Sequence, residues 1–163
     1  MSNSKIMYYV NRFNEIYNGS PWYGETVEAK LNDVTDKNAF LQPVDVAHSV
    51  AEIISHMTYW RKSLLSHLEG DGSFMPAVES PDNWVSVGAL ETKGWRKILD
   101  DFIQSQTKIT ELLARQNDQF LEKEYSKGST FEYLIQGIID HDVYHLGQIG
   151  LVKKLNSISL IHK

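Results

Sequence analysis

Apolar residues recur every three or four positions through Ile6, Tyr9, Val10, Phe13, Ile16 and Tyr17, the spacing that lines one face of an α-helix. Gly19-Ser20-Pro21 then halts the pattern. A shorter helical piece is predicted from about Gly24 to Leu31, and Asp33 to Pro43 has loop composition with a turn near Asp36 to Phe40. Ser49-Val50-Ala51-Glu52 has the form of a capping box, so a long second helix starts there. Its apolar stripe is Val50, Ile53, Met57, Trp60, Leu64 and Leu68, ended by Gly70-Asp71-Gly72. Gly70 to Gly88 is too long and too rich in Gly, Pro and acids for a tight turn, and reads as a crossover or lid. A third long helix carries Trp95, Ile98, Phe102, Ile109 and Leu113 on one side, followed by irregular or briefly extended chain from Arg115 to Gly128. Ser129-Thr130-Phe131-Glu132 has capping-box form again and opens a last helix, expected to end near Leu155 with Lys153 and Lys154 complementing its dipole. Four long helices without a period-two strand or an internal repeat predict an all-α four-helix bundle, and the long second connection predicts up-down-down-up order.

At 163 residues and 42% hydrophobic content, the chain forms one domain spanning 1–163 with a single core. A formal charge of −5 with no cluster of Lys and Arg argues against nucleic acid as a partner, and no basic amphipathic helix points to a membrane surface. Met1 to Gly19 lacks the uninterrupted apolar stretch and cleavage site of a signal peptide, and no apolar run reaches transmembrane length, so a cytoplasmic location is expected. There are no cysteines, which restricts any metal site to His, carboxylate or carbonyl donors.

That restriction matters because Leu134, Ile138, His141, His145, Gln148 and Val152 fall on one face of the last helix. Two histidines four apart project side by side and can grip one cation, whereas buried without a partner both imidazoles cost free energy. His56, on the flank of the second helix's stripe, is the candidate third ligand, and Trp60 one turn on can wall the site. Three ligands leave a coordination position for water or substrate. Asp142 and Asp140 flank the first ligand and could accept the outer N–H of a bound histidine, the role fitting Asp142 better. Gln148 on the inward face could hold water or substrate. His48 reads as packing over a helix start, His67 as a dipole partner or solvated residue, and His162 as part of a frayed tail.

Over His48-Ser49-Val50-Ala51-Glu52, His56-Met57-Thr58-Tyr59-Trp60-Arg61 and His141-Asp142-Val143-Tyr144-His145-Leu146-Gly147-Gln148-Ile149, the chain resembles the DinB/YfiT-like metalloenzyme superfamily. Tyr17-Asn18-Gly19-Ser20-Pro21-Trp22-Tyr23-Gly24 is similar too. The resemblance implies an up-down-down-up four-helix bundle, often a homodimer, with a divalent metal such as zinc or nickel on His56, His141 and His145. It further implies a transferase or isomerase that uses a low-molecular-weight thiol such as bacillithiol or mycothiol, and the open coordination position adds a transferase or hydrolase acting on small molecules as the expected activity. The alternatives are a non-catalytic metal-binding stress-response module and a zincin-like protease. The protease reading is disfavoured because His-Asp-x-x-His has Asp where that signature has Glu. A di-iron bundle lacks its paired Glu-x-x-His motifs. If the Gly70 to Gly88 loop closes over the metal, it brings Asp71, Asp82 or Trp84 near the substrate.

Overall fold

A computed structural model describes residues 3–44 and 47–161, without the side chains of 159–161. The expectation for His162 therefore lies outside the described residues. Among the described residues the regular structure is helical apart from one small hairpin. Helix α1 spans Ser4–Asn18 and buries Ile6, Tyr9, Val10, Phe13 and Ile16. Its first turn donates the Ile6 N–H to Asp118 Oδ1 at 3.0 Å, and the Gly19 N–H closes its end on Asn14 O at 3.0 Å. Helix α2, Val27–Leu31, is capped by Thr26.

Helix α3, Val50–Leu68, opens with the expected reciprocal cap: Ser49 N–H donates to Glu52 Oε2 at 2.8 Å, and Glu52 N–H donates to Ser49 Oγ at 3.2 Å. After the connecting loop the chain forms a short α4, Val87–Lys93, which the sequence pattern does not reveal because Leu90 is its one buried residue. Gly94, at φ +81°, turns the chain sharply into α5, Trp95–Ala114, in a region that disfavours residues with a Cβ.

The stretch from Arg115 to Gly128 contains a single turn of helix, α6 (Asp118–Leu121), and the strand β1 (Glu124–Ser126). That strand pairs antiparallel with β2 (Ser129–Thr130). The final helix, α7, runs from Phe131 to Ile161. Two expectations are corrected here. Ser129 belongs to the hairpin, so Thr130 Oγ1 accepts the Tyr133 N–H at 3.3 Å, while Glu132 accepts from the Tyr9 hydroxyl at 3.0 Å. Burial together with that carboxylate pushes the Tyr9 phenol up to about 12. Lys153 lies well inside α7 instead of in its last turn, and bonds Lys30 O and the Asp33 carboxylate at the end of α2.

Both α1 and α3 pack against α5 and against α7. The enclosed core includes Phe13, Ile54, Met57, Phe102, Ile109, Ile135 and Ile149, all essentially removed from water. Among the described residues no helix is long and apolar enough to cross a membrane.

Candidate metal centre

Helices α3 and α7 bring His56, His141 and His145 together, with one donor atom from each ring within 4.8 Å of the other two. His141 Nε2 lies 3.0 Å from His56 Nε2 and 3.0 Å from His145 Nε2. Nitrogen atoms around a tetrahedral zinc, with bonds of about 2.0–2.1 Å, sit roughly 3.3 Å apart, so a small spreading of these two pairs of rings admits a cation.

The outer nitrogens fix which atoms can bind it. His56 Nδ1 lies 2.9 Å from Asn83 O, and His145 Nδ1 lies 2.5 Å from Gln148 Oε1. Both partners only accept, so each Nδ1 carries the proton and each Nε2 presents a lone pair to the centre. A single Nε2–H on His141 cannot align with two lone pairs at once, and its Nδ1 is buried with no hydrogen-bond partner. The donor set suits a divalent cation better than it suits three rings left to one another.

Burial pushes the rings further toward the neutral, ligating form. His141 is held at about 3 by burial and by the neighbouring His145 and His56. His145 is held at about 4 by burial, with Gln148 opposing. His56 is lowered for the same reason, with its bond to Asn83 opposing. These folded-state values lie below those of the unfolded chain, so protons taken up below about pH 6.5 go to the unfolded state. Metal-free protein is therefore expected to lose stability as the pH falls from 7 to 5, by of the order of 2 kcal/mol after allowance for partial hydration of the rings. Urea unfolding at the two pH values measures it.

The loop from Gly70 to Ser86 forms the wall of this site through Asn83 and Trp84. Asn83 is 3% exposed; its Oδ1 accepts from Trp60 Nε1 at 2.9 Å, and its Nδ2 donates to Val78 O at 2.9 Å. These bonds aim its backbone carbonyl at His56. The Trp84 indole lies flat between two imidazoles, with its ring centroid 3.7 Å from that of His48 and 3.8 Å from that of His56. Asn83→Ala removes the anchor while leaving all three histidines, and is expected to weaken zinc affinity about 10- to 100-fold by chelator competition.

Several other expected roles fall differently. Asp142 turns away from the histidines and pairs with Arg61, so the outer partner of His145 is Gln148. Asp140 stays on the exposed face, bonded by Gln136. Asp71 accepts from Ser66 and Ser73 beyond the end of α3. Asp82 opens onto a separate polar groove of about 410 Å³. His67 is the basic residue in the last turn of α3, as expected, where it donates to Ser63 O at 2.8 Å and packs edge-on against Tyr125 and Phe131. His48 packs over the helix start as expected, with its Nδ1 3.4 Å from Glu52 Oε1, and also stacks on Trp84.

The three histidines open onto a cavity of about 640 Å³. A family profile described as the DinB superfamily matches residues 24–149, most of the chain including all three histidines. The chain belongs to the DinB superfamily. No curated protein and no solved structure shows a significant match to it. In this DinB-superfamily chain the matched span includes all three histidines, whose converging ring nitrogens could hold a metal ion.

Proposed function

We propose that this protein is a divalent-metal-dependent enzyme acting on a small molecule, with His56, His141 and His145 as the ligands. The observation that carries this reading is three buried or half-buried imidazoles whose ring nitrogens converge on one spot at the edge of a cavity large enough for a substrate. Three histidines are a shell with room left, the arrangement of working sites more than of structural ones. Zinc or nickel suits imidazole donors, and when bound would supply Lewis acidity that favours the ionised form of a thiol or water nucleophile. The chain's own groups do the positioning. Asn83 O and Gln148 Oε1 hold the donor tautomers of His56 and His145, while Trp84 covers one face of His56 and keeps water from it.

Thiol-dependent S-transfer is the leading reaction class, following from the resemblance at His141 to Ile149, with hydrolysis second. The packing of α1 and α3 against both α5 and α7 supports a four-helix bundle as a single domain, and the long connection between α3 and α5 is the ground for up-down-down-up order. Exposed Tyr144, Leu151, Leu155 and Ile158 along α7 support a homodimer.

The test is turnover with metal controlled. Protein stripped by chelator and reloaded with zinc or nickel is offered chlorodinitrobenzene with bacillithiol or simpler thiols, and separately a panel of esters and lactones. Turnover should appear on reloading and disappear in His141→Ala. Complete inertness of the loaded protein toward every pair sinks the enzyme reading.

A further inference from the structure

The walls of the cavity beside the histidines say what kind of molecule fits it. Trp60, Trp84, Tyr133 and Tyr144 supply ring surface, and Leu134 and Ile138 supply aliphatic surface. Among the described residues lining it there is no Asp, Glu, Lys or Arg. Away from the three histidines, a charged group taken from water into this space meets no oppositely charged side chain, and its desolvation goes uncompensated. Tyr133 and Tyr144 are 70% and 64% exposed, large rings kept out of the core and set along the cavity.

Gly137 also lines the cavity, in the interior of α7. A mid-helix glycine costs stability, and the usual compensation is close approach by a neighbouring element. Here a Cβ built on Gly137 would meet nothing within 4 Å, and its φ is not positive. Packing does not require the missing side chain; the open space beside it is the cavity itself.

We infer that the cavity takes a compact molecule with an uncharged aromatic or apolar body, admitted alongside Gly137. This deepens the functional reading and rests on it for the site, but not for the binding.

The test compares 2-naphthol with 2-naphthol-3,6-disulfonate, the same ring system with and without charge, by quenching of tryptophan emission in metal-stripped and zinc-loaded protein. Saturable binding of 2-naphthol is expected, at least tenfold tighter than the disulfonate. Gly137→Leu projects a side chain into the cavity and should weaken 2-naphthol at least tenfold, with a melting temperature no lower than that of the unsubstituted chain. Equal or tighter binding of the disulfonate, or 2-naphthol binding unchanged by Gly137→Leu, overturns the inference. Zinc uptake is measured in parallel. Naphthol discrimination in a protein that takes up no zinc upholds the inference while removing the enzyme reading, and normal zinc uptake without discrimination does the reverse.

Discussion

Asp142→Ala is expected to destabilise the protein by about 3–5 kcal/mol, read as a fall in the urea midpoint at unchanged slope. The reason is Arg61. Its guanidinium NH2 group lies 2.6 Å from Asp142 Oδ2 and Nε lies 3.1 Å from the same oxygen, with the two side chains 1% and 0% exposed. The remaining NH1 group donates to Ser105 Oγ at 3.1 Å, and the guanidinium carbon sits 4.1 Å from the centre of the Phe102 ring. Burial pushes the Asp142 carboxyl up while Arg61 pulls it down, and two hydrogen bonds from a permanently charged fork keep the pair ionised. Deleting the carboxylate strands that cation inside α3, α5 and α7. The double substitution Arg61→Met with Asp142→Leu removes both charges at similar volume and is expected to recover most of the loss. Equal destabilisation by the single and the double variant would show that shape, not charge, is the determinant.

His141→Ala is expected to lower zinc or nickel affinity by more than about 100-fold, the upper end of what losing an outer hydrogen-bond partner alone costs a site. His141 is the central donor, 3.0 Å from each of the other two nitrogens. Without metal, the same substitution removes a buried Nδ1 that has no partner. The stripped variant should therefore unfold no more easily than the stripped parent, which separates loss of a ligand from loss of the fold. Metal analysis of untagged protein, with His67→Ala as the control histidine, reads the outcome. Equal metal content in parent and His141→Ala removes these rings from the site.

The contrast between these residues explains what could be read in the chain beforehand. The four-residue spacing of His141 and His145 on a helix with regular apolar periodicity is geometry that sequence carries directly, and His56 on the flank of its stripe needed only the packing of α3 against α7. Asn83 carries no comparable signal, because the atom that meets His56 is a backbone carbonyl common to every residue type. Trp84 reaches the site through a loop whose path no periodicity encodes. Arg61 could have been found. It lies four positions after Met57 and three before Leu64, on the core side of α3, and a cation there requires a buried carboxylate. The spacing around Ser129 and Glu132 matches the cap at Ser49 and Glu52, but strand pairing claimed Ser129, a contest between local and tertiary bonding that residue order alone does not decide.

His56 and His141 stand 85 positions apart in the chain, yet their ring nitrogens nearly touch. An ion held between them acts as a detachable staple across that whole span, shrinking the disordered ensemble in the way a long-range covalent bridge does. In a chain without a single cysteine, resistance to heat and proteases would then track the supply of metal.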